Sequence, residues 1–68
     1  MNRPKLMAEM ALRGENLRTL AEGIHLAANT VSLKVNGRRS FNAKEIKAIA
    51  DYLQITDPAK IVEIFIYD

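Results

Sequence analysis

The chain of 68 residues has no cysteine and no tryptophan. Without thiols there is neither a disulfide framework nor a thiolate metal site, the devices that often staple a domain this small. Stability must come from packing. Long apolar runs are also missing: the longest, Ile64-Phe65-Ile66-Tyr67, falls far short of the ~20 residues a membrane span needs. The apolar patch around Leu6-Met7-Ala8 is interrupted by Glu9 and Arg13 before it reaches the length of a signal-peptide core, so neither membrane insertion nor export is expected. What is abundant is aliphatic. Hydrophobic residues make up 49% of the chain, too many for a disordered tail and enough for one compact core.

With only three glycines and two prolines, those residues read as punctuation between helices. Pro4 suits a first helical turn, and Leu6, Met7, Met10 and Ala11 keep helical spacing until Gly14. Asn16 is a good N-cap for a second helix, whose stripe Leu17, Leu20, Ala21 and Ile24 falls at i, i+3, i+4 and i+7. After a break between Gly23 and Leu26, a third helix is expected from Ala27 to Asn36, with Val31 and Val35 on one face and Gly37 as a left-handed stop. Asn42 with Glu45 three residues later resembles a capping box, opening a fourth helix through Ile46, Ile49, Ala50 and Leu53. Asp57-Pro58 opens a fifth through Ile61, Val62, Ile64 and Phe65. The β-branched and aromatic residues from Ile61 to Tyr67 leave the end of that helix open to an extended conformation. No linker, repeat or low-complexity tract interrupts the pattern, so residues 1–68 read as one all-α domain.

The net charge of +2 is unevenly spread. Lys34, Arg38, Arg39, Lys44 and Lys47 face only Glu45 in their stretch, a local charge of +4, whereas the residues beyond it sum to −3. Such a concentration of one sign suits a polyanionic partner.

The segment from Asn16 to Arg39 makes a helix, a tight turn and a second helix, and it resembles the xenobiotic-response-element (XRE) family of regulators, which includes phage Cro proteins and repressors. Leu20-Ala21, Ile24, Leu26, Thr30-Val31-Ser32 and Asn36-Gly37-Arg38-Arg39 carry the resemblance in type and spacing. It extends through Ser40-Phe41-Asn42, the Ile46/Ile49/Leu53 helix and the Ile61-Val62-Glu63-Ile64-Phe65 ending, leaving no segment for a sensor or catalytic domain. It implies a compact five-helix, lambda-repressor-like fold with a helix-turn-helix at helices two and three. It also implies sequence-specific binding of duplex DNA by a transcriptional regulator without a cofactor, in the cytoplasm of a bacterial or phage-infected cell. The third helix then enters the major groove, with Ala28, Asn29, Ser32 and Leu33 as candidate base contacts. Candidate phosphate contacts are Leu17, Arg18 and Thr19 at the start of helix two, Lys34 at the margin of helix three, and Arg38, Arg39, Ser40 and Asn42 after it. Such regulators usually act as homodimers, and Ile61, Ile64, Phe65, Ile66 and Tyr67 are candidates for that interface or for closing the monomer core.

Several positions depart from the family pattern. His25 stands where glycine is common, because the turn favours positive φ. Leu17, Ala27, Ala28 and Leu33 replace residues that are often polar. Leu17, His25, Ala28, Asn29, Ser32 and Leu33 therefore define an alternative: a protein-binding module, natural or engineered, on the same scaffold. Catalysis is not expected. Glu22 and His25 have the Glu-x-x-His spacing of a carboxylate-bridged iron ligand pair, but the chain has one histidine in all. Ser32 has no histidine base at family spacing, and no glycine-rich phosphate loop exists.

Overall fold

A computed structural model describes residues 1–66. These form five helices in the order α1 (Arg3–Leu12), α2 (Leu17–Gly23), α3 (Ala28–Val35), α4 (Ala43–Leu53) and α5 (Pro58–Phe65). Each start has a local cause. Asn2, Asn16 and Asn42 accept hydrogen bonds from the backbone amides of Lys5, Thr19 and Glu45, and Asp57 accepts one from Ala59. At α2 and α4 the bond is returned, because Thr19 and Glu45 side chains accept from the Asn16 and Asn42 amides and complete capping boxes. The run from Ile61 to Phe65 is helical, not extended. Helical spacing puts Ile64 and Phe65 into the core together, which outweighs the modest helix propensity of β-branched residues.

Four helices end alike. The residue two past each last full turn donates its amide to a carbonyl five positions back: Glu15 to Met10, Leu26 to Ala21, Arg38 to Leu33 and Ile55 to Ala50. This Schellman closure requires a left-handed residue just before the donor. Gly14, His25, Gly37 and Gln54 fill that place, with φ of 69°, 61°, 81° and 59°. Gly37 meets the expectation of a left-handed stop, and His25 adopts the conformation for which glycine is the cheaper residue.

All five helices contribute to one core. Leu6, Met10, Leu20, Ala21, Val31, Val35, Ile49, Ala50, Leu53, Ile55, Ile64 and Phe65 are buried, and the Phe41 ring meets Phe65 edge-on at 6.3 Å. α2 packs on α3 and α4, and α1 packs on α5. The latter pair runs antiparallel: the Asn2 amide donates to the Ile64 carbonyl at 2.6 Å, Lys5 pairs with Glu63, and Lys60 reaches Glu9. Glu9, the only buried charged side chain among the described residues, is held by Arg13 at 2.6 Å and Lys60 at 2.8 Å. Hydrogen bonds from Lys60 and then Arg13 hold its carboxyl below the usual carboxylate range, despite burial acting the other way.

The dimer candidates divide accordingly. Ile64 and Phe65 are buried within the monomer, so their side chains close its core and are not available on its surface. Ile61 is half-buried, Ile66 is 62% exposed, and Tyr67 lies outside the described residues. No helix among the described residues is long and apolar enough to cross a membrane.

Candidate nucleic-acid interface

Buried Leu20, Ala21 and Val31 lock α2 to α3, with Leu26 in the turn packed against the same core. Ala21 is 2% exposed, so the crossing leaves no room there for a larger side chain. The turn from Ile24 to Ala27 directs α3 outward, and its own N-terminus has no side-chain cap because Ala27 occupies the N-cap position. Asn29 is therefore not spent on capping. It is exposed and forms no side-chain hydrogen bond among the described residues, and Ala28 beside it is exposed too. Ser32 and Leu33, one turn on, are half-buried, and the Ser32 Oγ accepts from Asn36 Nδ2 at 3.3 Å.

Around this helix the polar candidates differ in what holds them. Thr19 is committed to the cap of α2, its hydroxyl accepting from the Asn16 amide at 2.9 Å and donating to the Asn16 carbonyl at 3.1 Å. Arg18 is exposed and only loosely paired with Glu22 at 3.7 Å, a geometry that contributes little. Leu17 is half-buried against the core, so its side chain adds less to an apolar surface than its sequence position implies. His25 is exposed on the turn.

On the far side of α3, Arg38, Arg39 and Ser40 are exposed, and neither arginine makes an ion pair among the described residues. Asn42 spends its side-chain oxygen on the Glu45 amide at 2.8 Å. Lys34, a candidate phosphate contact, is engaged within the chain. Its amine lies 2.6 Å from both carboxylate oxygens of Glu45 and 5.8 Å from the centre of the Phe41 ring. Both partners are largely sheltered, with side chains 12% and 15% exposed. The hydrogen bond from Lys34, helped by the Asn42 amide, keeps the Glu45 carboxyl below its usual range. Lys47 is likewise paired with Asp51 at 2.9 Å. Among the described residues, the basic stretch thus keeps three cations without an ion-pair partner, Arg38, Arg39 and Lys44. Arg3, from the first turn of α1, lines the same groove as Arg39, Ser40 and Phe41. Glu45 and Arg3 were not singled out by sequence as site residues. The sequence marks Glu45 as a capping residue and as the one acid of the basic stretch, not as a partner of Lys34, and Arg3 is too far along the chain for any local pattern to connect it to the loop.

Residues 5–65 match the family described as the Cro/C1-type HTH DNA-binding domain. No curated protein and no solved structure matches the chain.

Proposed function

The chain belongs to the Cro/C1-type HTH DNA-binding domain family, and on that premise we propose that it is a sequence-specific regulator of transcription that reads duplex DNA with α3. The observation that carries this reading is the pairing of two features. The N-terminal end of α3 presents exposed Ala28 and Asn29, and just beyond its other end stand Arg38 and Arg39, exposed and without ion-pair partners among the described residues. A helix with free base-reading side chains and unpaired flanking cations suits the division of labour between base edges and phosphates.

In this reading Asn29 pairs with adenine, Ser32 donates to or accepts from a neighbouring base, and Ala28 and Leu33 meet thymine methyls, favouring A·T-leaning half-sites. Arg38, Arg39, Ser40 and Lys44 hold one phosphate flank. Arg18 and the first amides of α2, at Leu17 and beyond, hold the other, with the Thr19 and Asn42 side chains ordering the helix starts that present those amides. Two copies bind half-sites about one helical turn, ~34 Å, apart. Half-buried Ile61 and exposed Ile66 are the candidates that remain on the surface for that pairing.

The alternative protein-binding face is less supported, because Leu17 and Leu33 are both half-buried and leave Ala28 as its exposed apolar contact. Selection from a random duplex pool at several salt concentrations, followed by sequencing, tests the proposal. Enrichment of an A·T-leaning half-site is expected, with log K per bound copy falling against log[salt] at a slope near ~−3.6 for about four phosphate contacts. Retention without any sequence enrichment would contradict it.

A further inference from the structure

The Lys34–Glu45 pair joins the last turn of α3 to the first turn of α4. Glu45 is fixed before it meets Lys34: its amide donates to Asn42 Oδ1 at 2.8 Å and its Oε1 accepts from the Asn42 amide at 3.0 Å. The carboxylate then takes the Lys34 amine on both oxygens. Short, charge-assisted contacts in a sheltered place hold a lysine far more firmly than a surface ion pair does. Swinging out into solvent toward a phosphate would cost Lys34 both contacts and uncover the anionic Glu45 carboxylate. Arg38 and Arg39, by contrast, have no partner to surrender among the described residues.

We infer that Glu45 is a positioning residue for DNA recognition, withholding Lys34 from the phosphates so that α3 meets base edges without a sequence-blind cation at its margin. This rests on the reading of α3 as the recognition helix. The cost is general affinity, and the gain is discrimination: a lysine on a phosphate strengthens binding to every duplex alike.

The test uses the full chain and a mixed-sequence duplex of about two helical turns, titrated from 25 to 300 mM salt. Glu45→Gln keeps a side-chain oxygen for the Asn42 cap but loses the charge that holds Lys34. It is expected to steepen the salt slope by about 0.9, so that affinity falls about 3.5-fold further than wild type between 50 and 200 mM salt. The double variant Glu45→Gln/Lys34→Met, which removes both charges of the pair, is expected to return to the wild-type slope. Loss of packing or of helix α4 would lower affinity without this pattern, because a folding defect does not change the number of counterions released. A slope about 0.9 flatter than wild type in the double variant, or an unchanged slope in Glu45→Gln, overturns the inference while leaving DNA recognition standing. Failure of the wild-type chain to retain the duplex at 25 mM salt removes the recognition reading itself, and this inference with it.

Discussion

The ring of Tyr52 on α4 lies so close over Gly23, the last residue of α2, that a Cβ at position 23 would collide with Tyr52 Cε1. Tyr52 is anchored there by its hydroxyl, which donates to Glu15 Oε1 at 2.8 Å; the same bond raises the phenol above the ordinary tyrosine range. Gly23→Ala therefore forces the ring out of place and breaks its bond to Glu15, which is expected to destabilise by about 1–2 kcal/mol. In a Tyr52→Ala background the steric conflict is gone, and the better helix propensity of alanine should make the same change stabilising by about 0.5 kcal/mol. A double-mutant cycle by urea unfolding checks the change of sign.

The two non-glycine helix stops give a second prediction. His25 and Gln54 hold φ near 60° at positions geometrically equivalent to Gly14 and Gly37. His25→Gly and Gln54→Gly should each stabilise by about 0.5 kcal/mol, the relief of left-handed strain exceeding the extra chain entropy of glycine in the unfolded state. Thermal unfolding should show a Tm rise of about 2–4 °C for each, roughly additive for the pair. A lower Tm in either variant would mean that its side chain makes a compensating contact.

Glu9 governs the acid limb of stability. Its carboxyl titrates lower in the folded chain than in the unfolded one because Lys60 and Arg13 bond its ionised form. The stabilisation is thus complete above about pH 4.5 and is lost as pH falls through the lower folded value. Glu9→Gln is expected to cost about 1 kcal/mol at pH 7, moderated because Lys60 is half exposed, and progressively less as pH falls below about 4.5. Measuring Tm from pH 3 to 7 should show the wild-type and variant curves converging in acid.

On DNA, the loop and the helix should fail differently. Arg38→Ala and Arg39→Ala are expected to weaken binding to all duplexes alike, each flattening the salt slope by about 0.9. Asn29→Ala should leave the slope unchanged and relax preference at one base pair by about 1–3 kcal/mol. Competition titrations with single-base operator variants separate the two effects.

Much of the fold is legible because its signals are local. Asn16, the Asn42–Glu45 box and Asp57-Pro58 mark the helix starts that are found, and Gly37 marks a stop. The motif from Leu20 to Arg39 places the helix-turn-helix and anticipates the unusual backbone of His25. What the sequence conceals is either non-local or lacks a residue cue. Gln54 takes a glycine's conformation without being glycine. Gly23 looks like a simple break, yet Tyr52 occupies the space its missing side chain leaves. Lys34 carries a charge that any count along the chain assigns to DNA, until a carboxylate eleven positions away neutralises it. The charge of a recognition surface is a property of pairs, and pairing is set by packing.

The antiparallel clasp of α1 and α5 bears on the order in which the molecule assembles. Lys5 and Glu63 are separated by 58 positions, whereas the helix-turn-helix closes over a few residues. Closing the larger loop costs more chain entropy, so α2 and α3 can dock early while Leu6 and Met10 wait for the far end of the polypeptide. On refolding, the hairpin of α2 and α3 would pair early, and α1 would be among the last helices to find its place.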